Sequence, residues 1–184
     1  MKAIMIAAFL GLAGMNAFAQ EAGKAPAAAA QAAETDLKFI DSMSKHHEDG
    51  VKMAQMAQQK GSTKEVKAMG DKIAKDQTKE IEQMKTWRSR WYASAPNAQM
   101  EMPKMDMSQL ESKTGHDFDM AFMDMMTKHH QDGMKMAQQM SPTLKHKELK
   151  EFSGKAVQNQ KSEIEKMSKW MASMGQNHEG HQAH

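Results

Sequence analysis

The residues best suited to chemistry in this chain are two pairs of consecutive histidines set among methionines. His46 and His47 stand in Phe39-Ile-Asp-Ser-Met43-Ser-Lys-His46-His47-Glu-Asp49-Gly50-Val-Lys-Met53-Ala-Gln55. His129 and His130 stand in Phe122-Met-Asp-Met-Met126-Thr-Lys-His129-His130-Gln-Asp132-Gly133-Met-Lys-Met136-Ala-Gln138. Imidazole nitrogen and thioether sulfur together suit copper and silver, and the sulfur favours the softer monovalent ions. On a helix Met43, His46, His47 and Gly50 share a face, while His46, Asp49 and Met53 form one narrow stripe. Met126, His129, His130, Asp132, Gly133 and Met136 repeat the arrangement. The plainer reading is a polar layer, with one histidine bonded to an inward carboxylate and the other solvated. The recurrence of the whole pattern, methionines and aspartate included, favours metal binding.

The two stretches lie 83 residues apart, and the same offset carries Gln77, Glu80, Ile81, Met84 and Trp87 onto Gln160, Glu163, Ile164, Met167 and Trp170. An internal repeat therefore spans most of the chain. Glu80 and Glu163 are candidates as ligands or as groups orienting a histidine, with solvent-exposed carboxylates as the alternative. Met84 and Met167 are candidate ligands that should pack in the core in any case. Two candidates occur once. Met100, Met102, Met105 and Met107 crowd a polar segment with Pro103, where they either offer thioethers to Cu(I) or Ag(I) or drape over the folded body. His178, His181 and His184 form a tail able to bind Cu(II), Ni(II) or Zn(II) weakly.

These candidates need long helices to position them. Phe39, Ile40, Met43, His47, Gly50, Val51, Ala54 and Ala57 follow helical spacing, so a helix is expected from Thr35 or Asp36 to Gly61. Ser62-Thr-Lys-Glu65 reads as a capping box opening a second helix that ends before Pro96. Thr114 to Asp117 opens a third, and Ser141-Pro142 reads as the start of a fourth that runs to Met174. No segment alternates with period two. The expected fold is all-α, a ferritin-like four-helix bundle of two repeated hairpins, 35–93 and 117–175, joined by a long connection over 94–116. Ser108 to Glu111 should form one helical turn within that connection. The tail is 176–184.

Residues 1–19 read as a cleaved secretory signal: Lys2, a short apolar run, and Ala17-Phe18-Ala19. The run is short for a bilayer span, which takes about 20 apolar residues. A periplasmic location follows. Residues 20–34, Ala-rich with Pro26 and no apolar stripe, are expected to be disordered. Cysteine is absent, so disulfides and thiolate zinc sites are excluded. A net charge of +2, evenly mixed, gives no support to a nucleic-acid partner. The 22 methionines against 10 aromatic residues make the core soft and thioether-rich.

The His-His-x-Asp-Gly-x-x-Met-Ala-Gln segments resemble a widespread bacterial family long labelled a domain of unknown function, ferritin-like in fold, with a periplasmic copper-binding member. The resemblance covers about residues 36 to 174. It implies a four-helix fold, a role in copper binding or tolerance, and His46, His47, His129 and His130 as ligands with nearby methionine. The reading is therefore a copper-binding protein, Cu(I) before Cu(II), acting as scavenger or carrier with no chemical step. Its partners would be metal ions and a copper-efflux or metallochaperone protein, with no membrane contact once the signal is removed, as monomer or dimer. The alternatives are a methionine oxidant sink and a di-iron oxidase. The di-iron alternative is opposed by the sequence, since no Glu is followed three residues later by His.

Overall fold

The computed structural model describes residues 15–102 and 105–179, with side chains for 31, 33–102 and 105–174. Helix α1 (Met15–Lys60) and α2 (Lys64–Tyr92) form the first hairpin, closed by a turn at Gly61. A short α3 (Ser108–Glu111) lies in the connection, where one helical turn was expected. Helix α4 (Gly115–Met140), a 3-10 turn at Ser141–Thr143 and α5 (Lys147–Glu179) form the second hairpin. α1 packs on α2, α4 on α5, and α1 on α4, so α1 and α4 join the two hairpins. The result is the all-α four-helix bundle that the repeat predicts. Among the described residues no helix is long and apolar enough to cross a membrane.

Four boundaries differ from expectation. α1 starts at Met15, so the segment 20–34 is helical rather than disordered. Alanine has the highest helix propensity, and a run of it needs no apolar stripe to be helical. The N-cap of α2 is Thr63, whose hydroxyl accepts from the Val66 N–H at 3.2 Å, instead of Ser62. α5 opens at Lys147, not at Ser141, and continues past Gly175 to Glu179. Residues 1–14, most of the expected signal, lie outside the described residues, as does the tail from residue 180.

The starts of α2 and α5 are set by buried carboxylates from the opposite hairpin. Asp119 on α4 accepts from the Ser62 N–H at 2.9 Å and the Ser62 hydroxyl at 2.5 Å. Asp36 on α1 accepts from the N–H groups of Lys145 (2.6 Å) and His146 (3.1 Å). Asp36 also accepts from His146 Nδ1 (2.6 Å) and the Tyr92 hydroxyl (3.0 Å). Asp36 and Asp119 are one offset apart, so each hairpin caps a helix of the other with the same residue. Anions at helix N-termini satisfy orphan N–H groups and suit the helix dipole.

The core has two apolar clusters. One gathers Phe39, Ile40, Met43, Met84, Met136 and Leu149. The other gathers Met53, Val66, Ile73, Phe118, Phe122, Met126 and Met167. The two histidine pairs form a buried polar layer on the same two helices, at the positions between them. The connection is tied down rather than loose. Arg88 binds Asp41 (2.9 Å) and the carbonyls of Tyr92 and Ala95, while Met100 N–H donates to Ser42 Oγ at 2.8 Å. Farther along, Leu110 is fully buried, and Lys60 donates to the carbonyls of Leu110 (2.9 Å) and Glu111 (2.7 Å).

Candidate metal centre

Consecutive residues on a helix point about 100° apart, so a His-His pair can serve two directions at once. His46 on α1 and His129 on α4 face each other across the hairpin interface, their rings stacked at 3.7 Å and 8°. His47 and His130 point toward their own hairpin partners. His47 Nε2 lies 2.6 Å from Glu80 Oε2 on α2, and His130 Nε2 lies 2.8 Å from Glu163 Oε2 on α5. All four imidazoles are buried.

Gly50 and Gly133 make the layer fit. A Cβ on Gly50 would collide with Gln77 Oε1 and stand 2.7 Å from His129 Nε2. A Cβ on Gly133 would stand 2.7 Å from His46 Cε1 and 2.9 Å from Gln160 Oε1. Each glycine opens space for the glutamine of its own hairpin and a histidine of the other. The helix-propensity penalty of glycine, about 1 kcal/mol, is offset here by close approach.

The hydrogen bonds fix which nitrogens are bare. His46 Nε2 lies 3.0 Å from the His129 carbonyl and must donate to it, leaving Nδ1 without a proton. His47 and His130 donate through Nε2 to the carboxylates of Glu80 and Glu163. Nδ1 of His46, His47 and His130, Nε2 of His129, and Oε1 of Gln77 and Gln160 have no protein partner. Six buried polar atoms without partners in one layer carry a substantial desolvation penalty, about 1–3 kcal/mol for each such group. A bound cation would remove it. Burial, reinforced by the neighbouring His47, pushes the His46 pKa down to about 3. Burial and the facing His46 hold His129 well below the usual imidazole range. Burial alone would raise Glu163, but hydrogen bonds from His130 and Lys72 outweigh it and hold the carboxyl low. His46 and His129 are thus kept neutral, as metal ligands must be, while His47 and His130 have carboxylates behind them.

The expected methionine ligands are placed otherwise. Met43, Met84 and Met136 are buried together in one apolar cluster, and Met53, Met126 and Met167 in the other. The two groups are related by the repeat offset. Ser44 and Thr127 hydroxyls approach the sulfurs of Met84 (3.6 Å) and Met167 (3.8 Å) in matching fashion. All six pack in the core. The proposed stripe His46–Asp49–Met53 is split, with Met53 in the core and Asp49 turned to Lys45 (2.6 Å) and Lys52 (3.1 Å). Asp132 is exposed. Both aspartates nevertheless line a cavity of about 30 Å³ with His46, His129, Met102 and Met105. Met100 and Met102 pack on one core cluster, Met105 and Met107 on the other, so the connection does drape over the bundle. The side chains of His178, His181 and His184 lie outside the described residues.

Among the described residues no three His, Asp or Glu side chains converge in a way that would hold a metal ion. That argues against a preformed hard-ligand or carboxylate-bridged site. It leaves the imidazole nitrogens, with amide oxygens beside them, to serve an ion content with few ligands. Gln77 and Gln160 were visible on the inner stripe of their helices, yet nothing in their spacing marked them as part of this layer. The signal was the glycine one offset apart in each copy.

Comparison with known proteins bears on this arrangement. The family model described as "Domain of unknown function (DUF305)" matches residues 36–171. CopM in its Cu(I)-bound form is 32% identical, with a TM-score of 0.67, covering 76% of this chain and 96% of that one. CopM in its Cu(II)-bound form is 30% identical, with a TM-score of 0.68, covering 76% and 97%. A DUF305 protein from Streptomyces coelicolor, described as secreted, is 26% identical with a TM-score of 0.69, covering 78% and 96%. No curated protein matches the sequence.

Proposed function

The chain belongs to the DUF305 family, and from that premise we propose that it is an exported copper-binding protein that holds Cu(I) in its four-histidine layer. It acts as a scavenger or carrier and performs no chemical step on the ion. The observation that carries this reading is the set of four buried imidazoles with unpartnered ring nitrogens, two of them backed by Glu80 and Glu163. Such nitrogens are ligands lacking only an ion. The likeness to CopM, solved with Cu(I), Cu(II) and silver, supports copper as the cargo and Ag(I) as its mimic. The signal-like start and the secreted relative support export.

The test is an anaerobic Cu(I) titration against a chromophoric chelator. His46, His47, His129 and His130→Asn together should abolish the tightest site, with helicity retained. Equal affinity in wild type and variant would overturn the reading. The half-buried Met100, Met102, Met105 and Met107 also favour a secondary role as oxidant targets. That role predicts their sulfoxidation by dilute peroxide before Met43 or Met53.

A further inference from the structure

We propose that the connection carries a second site, made of thioethers, through which a soft monovalent ion reaches the histidine layer. Met100, Met102, Met105 and Met107 all line one groove of about 880 Å³ against α1. The cavity of about 30 Å³ at the histidines is large enough for one water-sized guest, since about 10–15 Å³ is needed. Met102 and Met105 line both spaces, so the last thioethers of the groove are also walls of the inner cavity. The other walls of that cavity include His46 and His129, 6% and 3% exposed, each with an unpartnered ring nitrogen. A chain of soft donors thus leads from solvent to bare imidazoles.

The charges along this route favour inward movement. The groove is lined by Lys45, Lys52, Asp49 and Glu101, two of each sign, and is neutral overall. The inner cavity is walled by one lysine, Lys45, and two aspartates, Asp49 and Asp132, beside His46 and His129. A neutral thioether groove discriminates by softness, since sulfur prefers Cu(I) or Ag(I) to the hard divalent ions. The two carboxylates at the inner end then draw the selected cation. The thioethers are held over this route by the ties at Met100 and Leu110, on either side of the cluster. The connection has no counterpart in the repeat, so the site exists once while the histidine pairs exist twice.

This site rests on the histidine layer being a copper site only for its role as an entrance, and the test separates the two. The variant is Met100, Met102, Met105 and Met107→Leu, which keeps apolar volume; its melting temperature reports folding. Ag(I) and anaerobic Cu(I) are the probes. Native mass spectrometry counts ions, and stopped-flow transfer from a chelator gives the rate. The Leu variant should bind one ion fewer than wild type, fill the histidine layer at equilibrium, and fill it at least tenfold more slowly. The four-histidine Asn variant should keep the ion that the Leu variant loses. An equal ion count and an equal rate in the Leu variant would overturn the proposal. A slow Leu variant beside a histidine variant of unchanged affinity would support the thioether site and refute the histidine one.

Discussion

Acid should unfold the metal-free protein through two histidines that resist protonation. In the unfolded chain His46 titrates near 6.5, whereas the folded protein holds it to about 3. Between these values the unfolded state binds a proton that the folded state refuses, so stability falls as pH falls. The loss begins near pH 6.5 and ends near pH 3. For one such group it is about 1.4 kcal/mol at pH 5.5 and about 2.7 kcal/mol at pH 4.5. His129 is shifted in the same direction by the same burial. His46 alone therefore removes about 2.7 kcal/mol by pH 4.5, a sizeable part of the 5–15 kcal/mol typical of a domain, and His129 adds to the loss in the same direction. Carboxylates do not confuse this window. Glu163 and Asp49 are held low, so their stabilisation is present above their ordinary values of 4.5 and 3.8 and is lost only below them. Urea denaturation followed by circular dichroism in chelator, from pH 7 to 5, measures the slope. A flat profile would refute the reasoning. So would an unchanged slope in His46→Asn, His129→Asn.

Three further outcomes follow from the same geometry. Gly50→Ala gains about 1 kcal/mol of helix propensity but forces Gln77 and His129 aside, at about 1–3 kcal/mol; thermal melts should show no net gain, and Ag(I) affinity should fall at least tenfold. Glu163→Ala leaves the buried His130 Nε2–H without its acceptor, destabilising by about 1–3 kcal/mol. Removing such a backing carboxylate should weaken Cu(I) binding about 10- to 100-fold in chelator competition. Asp36→Ala strips four donors of their partner and Asp119→Ala strips two, so urea midpoints should fall further for Asp36; equal effects would contradict the cap assignment.

The repeat made the bundle legible before any coordinate. Helical spacing around His46 and His129, with breaks at Gly61 and Pro142, is enough to specify two hairpins. What the sequence hid is which hairpin supplies which partner. Nothing local shows that Gly50 makes room for His129 rather than for His46. The same blindness misplaced the helix starts. Ser62 has the pattern of an N-cap, but Asp119, 57 residues away, claims its hydroxyl, and the cap passes to Thr63. Ser141-Pro142 has the pattern of a helix start, but Asp36, 109 residues from Lys145, fixes the start of α5 instead. Local signals lost to tertiary hydrogen bonds in both cases. The methionines were harder to read for a different reason: helical spacing places Met43 and Met53 beside the histidines, but thioethers pack as readily as they ligate. The structure buries both in the core, and spacing cannot report burial.

The two halves of the layer are related by the repeat but are not equivalent, and the differences point one way. Glu163 is 10% exposed at its side chain and is gripped by Lys72 (3.0 Å) as well as His130. Glu80 is 22% exposed, and its ion pair among the described residues is with His47 alone. Lys128, the counterpart of Lys45, pairs with Asp124 and leaves Asp132 to the cavity, whereas Lys45 and Lys52 both hold Asp49. The second hairpin therefore presents a braced histidine–carboxylate pair and an uncommitted aspartate. The first presents a pair whose carboxylate is more exposed and, among the described residues, lacks the second cation. An ion held between them has a rigid wall on the α5 side and a yielding one on the α2 side. Exchange with solvent or a partner protein is thus expected to proceed through the first hairpin. The check is hydrogen exchange: amides near His47 and Glu80 should open before those near His130 and Glu163, and Ag(I) should slow the first group more.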